Sequence, residues 1–598
     1  MDMKELKLSD YVAEFISKKN INTVFAISGG ASLHLIHSIK DHPKLNCICT
    51  HHEQSAAMAA DGFARSSGKP GVVITTSGPG ATNTITGICC SYYDSVPLIL
   101  ITGQVSSFRM SEGLGVRQIG FQETPIVDVV KPIVKYSYKI KDPYEIGYQL
   151  NKAYQISISG RPGPVLIDIP DNFQREVLNL EKLVNFEFNK PKEQDKNLPI
   201  SKLEKIHELI AKSNRPIIIG GWGIHLSKTE KDFIKFVESL NIPVLFTWAA
   251  FDILPADHKL NLGTFGTHGR RASNFAVQNS DLIISLGSRL DTKSTGSPIT
   301  TFAREAKKIV VDIDKNELEK FSFFGLEIDL LIKKDLKNFF NSYFEYKNTQ
   351  YLQKTHYLSW EKKLEKWKNE FENYDKNKKF EDGINPYIFV DKLSQSCPEN
   401  IKIFIDTGCS IAWMMQRFKT KKNQRLFHDF NNTAMGWALP ASIGSFFANP
   451  QFKIVSIIGD GSLMMTLQEL ATLNHHKIPI KIFLINNNGY SMIKQTQEQW
   501  LSSKYYASSP QGGISFPNYK KLADSFDISY EEINIEENLE EKINKVIDAN
   551  NSVFCNVIIS SQARVTPQVK FGRPNEDMEP LLPRDLFYKN MIIKPIND

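Results

Sequence analysis

Short runs of β-branched and aliphatic residues alternate with helical patterns along nearly the whole chain. They read "GVVITT", "PLILIT", "PVLIDIP", "RPIIIGG", "DLIISLG", "KIVVDID", "IKIFID", "KIVSIIG", "IKIFLI" and "SVFCNVIIS". Runs that are short and continuously apolar predict strands buried on both faces, joined by helical crossovers. The expected class is therefore α/β, with doubly wound parallel sheets. Two stretches break the rhythm. Leu180 to Pro199 is dominated by Lys, Glu, Asn and Asp, and residues 336–383 are densely charged, with Trp360, Leu364 and Trp367 at helical spacing. The second predicts a helical linker, solvated and laying one stripe on the surface. These breaks divide the chain into units 1–180, 195–335 and 384–565, followed by a tail, 566–598, whose prolines argue against a core element. No short internal repeat is visible.

A length of 598 residues leaves room for three domains with ample core. The net charge of +6 is spread out, and no basic cluster is interleaved with aromatics, which argues against nucleic acid. Seven cysteines without a CxxC argue against a disulfide framework or zinc. The start, "MDMKELKLSDYVAEF", lacks a signal peptide's apolar stretch, and the longest apolar runs are too short to span a bilayer. A cytoplasmic protein with no membrane partner is expected.

"KIVSIIGDG" reads as a strand ending in a tight turn, "SLMMTLQELATLNHH" as a helix with Leu463, Leu467, Leu470 and Ala471 on one face, and "IPIKIFLI" as a strand ending in Asn486, Asn487 and Asn488. In a right-handed β-α-β unit both strand ends lie on one sheet edge, where open α/β folds bind ligands. Asp460 and Asn487 can then converge, and a carboxylate with an amide oxygen suits Mg²⁺, which completes its shell with phosphate oxygens and water.

The stretch resembles the thiamine-diphosphate signature, GDG followed about two dozen residues later by paired asparagines. By that resemblance Asp460, Asn487 and the Gly489 carbonyl are Mg²⁺ ligands, and Gly459, Gly461, Ser462 and Met492 adjoin the cofactor. Thiamine chemistry needs a proton removed from the thiazolium C2. The cofactor's aminopyrimidine does this once a carboxyl group stabilises its imino form, so the protein must supply that group. "CTHHEQSAAMAADGFARSSGKPGVVITTSGPGATN" offers Glu53. With "SVPLILITGQV", "FQETPIV", "SGRPGPVLIDIP" and "AMGWALPASIG", it closely resembles the acetohydroxyacid (acetolactate) synthase family over nearly the whole chain.

The resemblance implies three thiamine-enzyme domains: pyrimidine-binding, central and diphosphate-binding. It makes Glu53 the activating carboxylate, sets Ser77, Gly78, Pro79, Gly80 and Asn83 beside the pyrimidine, and lines the reaction cavity with Phe121 and Gln122. Gly408, Cys409 and Ser410 fall near the diphosphate, and Met435 holds the cofactor bent. Because the family takes its glutamate and its metal motif from different subunits, a homodimer or homotetramer is implied. "IIIGGWG", "GTFGTHG", "LGSRLD" and "VVDIDKNEL" resemble the segments that hold a non-redox FAD, implying Gly220, Gly221, Gly266, His268, Gly287, Arg289 and Asp312 as flavin contacts.

The acceptor side departs from the family pattern. Thr496 replaces a tryptophan, Lys293 an arginine, Thr267 a methionine, Asp171 a lysine, and Cys409-Ser410 a Gln-His pair. The leading expectation is a carboligase that decarboxylates a 2-keto acid, pyruvate first, and passes two carbons to an acceptor carbonyl. The alternatives are a carboligase using a keto-sugar nucleotide or aldehyde, and a catalytically silent family member.

Overall fold

In the computed structural model, which describes residues 4–184, 186, 197–349, 357–371 and 378–596, all ten apolar runs are strands. The first unit begins with β1 (Glu5–Lys7). It continues with β2 (Thr23–Ala26), β3 (Asn46–Cys49), β4 (Gly71–Thr75), β5 (Leu98–Gln104), β6 (Tyr136–Lys139) and β7 (Pro164–Pro170). β8 (Val177–Asn179) closes the unit by pairing antiparallel with β1. β2 to β7 form a parallel sheet in the order β3-β2-β4-β5-β7-β6.

The central sheet contains β9 (Pro216–Gly220), β10 (Val244–Phe246), β11 (Asn261–Thr264), β12 (Leu282–Leu286), β13 (Lys307–Asp312) and β14 (Leu330–Lys333), ordered β11-β10-β9-β12-β13-β14. The last holds β15 (Ile401–Ile405), β16 (Arg425–Phe427), β17 (Lys453–Gly459), β18 (Lys481–Asn486), β19 (Ser529–Ile533) and β20 (Val553–Ile558), ordered β16-β15-β17-β18-β20-β19. In each sheet the chain winds outward and then crosses back, leaving a switch point between β2 and β4, β9 and β12, or β15 and β17. The carboxyl ends of strands part there and leave a crevice.

The first and last units meet through two small-residue helices, Glu53–Ser67 and Ala438–Ala448. A Cβ on Gly62 would overlap the Ala441 backbone, and one on Gly444 would overlap Ala59, so the two backbones touch. This is why an alanine-rich helix with little amphipathic bias is stable here: it is covered on every side.

Three expectations are corrected. Residues 358–371 of the expected linker are not a surface stripe, because Trp360, Leu364, Trp367 and Phe371 belong to the central unit's core. Trp360 Nε1 donates to the Pro216 carbonyl at 3.2 Å and Trp367 Nε1 to Asn590 Oδ1 at 2.8 Å, which satisfies both buried indoles. The proline-rich tail does enter a core: Leu582 and Phe587 join the same cluster, and Met578, Asn575 and Glu576 are fully buried. The single helix expected after Gly461 is broken into Asp460–Leu463 and Glu469–His475, with Leu463, Leu470 and Leu473 inward and Leu467 and Ala471 only half-buried. Residues 185, 187–196, 350–356 and 372–377 of the two expected linkers lie outside the described residues. No helix among the described residues is long and apolar enough to cross a membrane.

Candidate functional site

At the switch point of the last sheet, Gly408 follows β15 and Asp460 follows β17. Asp460 is 2% exposed and its carboxylate accepts backbone N–H groups from Gly461 (2.7 Å) and Gly489 (3.1 Å), so the turn after β17 is tied to the turn after β18. Burial pushes the Asp460 carboxyl up to about 6, as expected of a charge held in place for a counterion. Asn487 lies on the same edge, also buried, and its Oδ1 has no hydrogen-bond partner. A buried, unpartnered acceptor is costly unless a donor or cation arrives.

The surroundings leave space where an anion would have to sit. Gly408 has φ +83° and open space around its Cβ position, at the start of helix Cys409–Arg417, whose first N–H groups are unpaired within the helix. Gly459 faces the Ser410 and Ser462 hydroxyls, each 3.9 Å from its Cβ position. A Cβ on Gly461 would overlap the Tyr490 ring, so a larger residue there would have to displace that ring from between the two turns. Met492 is half-buried against the core below this edge. Burial pushes the Cys409 thiol up to about 12, making it a neutral wall rather than a nucleophile.

Asp406, which the sequence reading missed, organises the same edge. Its carboxylate accepts from Thr407, Gly436 and Ala438 N–H groups at 3.0, 3.2 and 2.9 Å. Thr466 Oγ1 donates to the Gly436 carbonyl at 2.9 Å. Half-buried Met435 is therefore held beside the Ser462 turn by its neighbour Gly436.

On the first unit, Glu53 is the first residue of helix Glu53–Ser67, and His52 caps that helix by accepting from Gln54 N at 3.0 Å. Asn83 Nδ2 donates to Glu53 Oε2 at 2.9 Å, and Glu53 Oε1 is 3.6 Å from where a Gly80 Cβ would be. Ser77 is buried, Gly78 has φ +62° and sits against Gln122, and Pro79 starts the short helix Pro79–Thr82. Gln122 itself has φ 63°, and its neighbour Phe121 is 86% exposed. The structure thus gathers Glu53, Ser77 to Asn83 and Gln122 on one edge, and Asp460, Asn487, Gly408 and Met435 on another. No hydrogen bond among the described residues joins Glu53 or Asn83 to the second group.

The central switch point opens into a cleft of about 290 Å³, lined by His268, Gly287, Arg289 and Asp312 among others. Gly220 ends β9 and Gly221 follows it, where a Cβ would overlap the Gly287 carbonyl across the β9/β12 crevice. Gly266 is pinned by Asn274 Oδ1 at 2.8 Å. Trp222 Nε1 and His268 Nδ1 are buried without partners, and burial pushes the imidazole down to about 4 and the Asp312 carboxyl up to about 6. Of the departures, Lys293 lines this cleft. Lys293 Nζ lies 5.5 Å over the Trp248 ring, and Thr267 N donates to the Lys293 carbonyl at 2.7 Å. Half-buried Thr496 turns its hydroxyl back onto Met492 O at 3.1 Å, and Asp171 accepts from Ser106.

Three family models match this chain in order. The N-terminal TPP-binding domain of thiamine pyrophosphate enzymes matches residues 6–128, their central domain 203–341, and their C-terminal TPP-binding domain 406–557. The acetolactate synthase large subunit of Lactococcus lactis is 33% identical over 595 residues, spanning 96% of this chain and 97% of its own. The probable large subunit of Methanocaldococcus jannaschii is 34% identical over 585 residues (95% and 94%), and acetolactate synthase 1, chloroplastic, of Nicotiana tabacum is 33% identical over 585 residues (96% and 84%).

Proposed function

Because the chain belongs to the acetolactate synthase family of thiamine-diphosphate enzymes, we propose that it joins two molecules of 2-keto acid, the donor being pyruvate. One carboxyl group leaves as CO₂ and the remaining two carbons pass to the second carbonyl. Thiamine diphosphate, when bound, supplies the electron sink for decarboxylation. The observation that carries the reading is the buried, unpartnered Asn487 Oδ1 beside buried Asp460.

Asp460, Asn487 and the Gly489 carbonyl would hold Mg²⁺, while the helix start at Cys409 and the Ser410 and Ser462 hydroxyls would meet the diphosphate. Glu53, oriented by Asn83, would hold the proton that activates the pyrimidine, and Met435 would support the thiazolium. Glu53 and Asp460 would act in one site across a pair of chains, so we assign a homodimer or homotetramer. Phe108, Leu114, Val116, Ile119 and Phe121, all more than half exposed on one loop beside Gln122, are the apolar surface such a pairing would cover. The central cleft would take FAD without redox change, the orphan donor Trp222 Nε1 and the unpartnered His268 Nδ1 finding partners there. Lys293 would leave a point charge for the acceptor's carboxylate in place of a bidentate fork. Incubation with pyruvate, thiamine diphosphate, Mg²⁺ and FAD should yield acetolactate and CO₂ in equal amounts. CO₂ release without acetolactate would overturn the acceptor assignment.

A further inference from the structure

We propose that Asp94 is a positioning residue that couples the central cleft to the thiamine edge, by fixing the near end of the segment Phe430–Trp437 directly and its far end through Arg65. The inference rests on the reading that the cleft takes a flavin and that Met435 supports thiamine diphosphate.

Asp94 caps helix Ile85–Tyr93 of the first unit and is fully buried. Its carboxylate accepts four hydrogen bonds: from Arg65 Nη2 at 2.8 Å, Phe430 N at 3.0 Å, Asn431 N at 3.1 Å and Asn431 Nδ2 at 2.9 Å. Three of the four come from two consecutive residues of the last unit. Those two, Phe430 and Asn431, line the central cleft together with Asp94 itself. The Phe430 ring also meets Trp222, which ends the β9 turn on the opposite wall, with centroids 5.8 Å apart.

The far end of the segment is held from the same place. Arg65 lies over the Phe430 ring at 5.7 Å and over the Trp437 ring at 5.0 Å, so one guanidinium touches its first and last residues. Asp61 binds Arg65 Nε at 2.6 Å and accepts from Trp437 Nε1 at 3.0 Å. Arg65 Nη1 donates to the His428 carbonyl at 3.0 Å, and Ala434 N donates to Asp429 Oδ2 at 2.8 Å. Met435 therefore sits on a short span whose near anchor is a wall of the cleft. A molecule that presses on Phe430 and Asn431 restrains the approach to Met435, and the reverse holds with equal strength, since coupling between two bound ligands is reciprocal. A flavin with no redox part to play would act on the reaction through this span.

An asparagine at 94 keeps the shape but offers one oxygen where four donors converge, and its NH₂ opposes two of them. The test is flavin release. Wild-type protein purified with FAD is diluted in Mg²⁺ buffer with or without thiamine diphosphate, and free flavin fluorescence is followed. We expect thiamine diphosphate to slow release at least about fivefold in the wild type. In Asp94→Asn the ratio of release rates without and with thiamine diphosphate should fall to nearly one, whatever the absolute rate of release becomes. Asn431→Ala, which removes only the side-chain leg, should give an intermediate ratio and decides the matter if Asp94→Asn does not fold. An undiminished ratio in the folded variants, or no slowing in the wild type, overturns the coupling. Failure of the underlying reading looks different: the protein then takes up no flavin, or shows no thiamine diphosphate binding by calorimetry.

Discussion

Replacing Asp460 by asparagine should stabilise the metal-free protein while abolishing the stabilisation that Mg²⁺ and thiamine diphosphate confer. The carboxyl is 2% exposed and burial lifts it from the ordinary aspartate value of 3.8 to about 6. At neutral pH the empty site thus holds an ionised carboxylate at a cost of about 3 kcal/mol. Asparagine removes that charge. It keeps an acceptor for one of the two N–H groups now bound, from Gly461 and Gly489, and forfeits the other at about 1 kcal/mol. The net gain is about 2 kcal/mol, or roughly 4–8 °C in the melting transition of a domain this size. Because the folded-state value is raised, the penalty is absent below the unfolded value, grows as pH rises, and is complete above the folded one. The variant's advantage should therefore be full at pH 7.5 and only about a third as large at pH 5. Differential scanning calorimetry in EDTA and in saturating thiamine diphosphate with Mg²⁺, at both pH values, measures all four quantities. If Asp460→Asn is less stable than wild type in EDTA, and still gains normally from the ligands, Asp460 is a structural cap and the metal assignment is wrong.

Glu53→Gln should bind thiamine diphosphate within a few-fold of wild type yet lose at least about a hundredfold in turnover, as expected for a proton-holding group; near-normal acetolactate production in a steady-state assay would remove Glu53 from the mechanism. The purified protein should be yellow, and a colourless preparation that stays fully active after excess FAD has been offered would show that the central cleft serves another purpose. Gly444→Val should lower the melting temperature sharply and separate the first unit from the last, because its side chain would have to enter the Ala59 backbone; a loss below about 1 kcal/mol in urea titration would contradict the close helix contact.

The buried parallel strands were legible because both faces of each are covered, so the apolar runs are uninterrupted. Several edge strands were not: β3, β6 and β19 carry Asn46, Lys139 and Glu531, and one solvated face dilutes the pattern. The Gly-Asp-Gly turn and the asparagine run were readable because one β-α-β unit places them together. Asp406 and Asp94 were not. Each works by accepting N–H groups from a segment that only the tertiary fold brings near, 30 and 336 positions away. The break in the helix after Leu463 was hidden for a similar reason. Thr466 is drawn to the Gly436 carbonyl, and buried Glu469 accepts from His51 N of the first unit at 3.1 Å. The tail misled because proline content speaks to backbone regularity, whereas Leu582 and Phe587 fill space without needing a strand.

The first and last sheets are wound alike. In each, the second strand of the main sheet lies at the edge, and the chain returns over the first strand to the third, so β3 corresponds to β16 and β2 to β15. The helices that make this return are Glu53–Ser67 and Ala438–Ala448, the very pair that touch backbone to backbone. Glu53 is the first residue of its unit's return helix, and Met435 lies three residues before the start of the other. Gly62 meets Ala441 and Gly444 meets Ala59, the reciprocal contact that a two-fold axis between equivalent helices produces. A mutation on the contact face of either helix should be judged against its counterpart, because each backbone is the wall the other packs on.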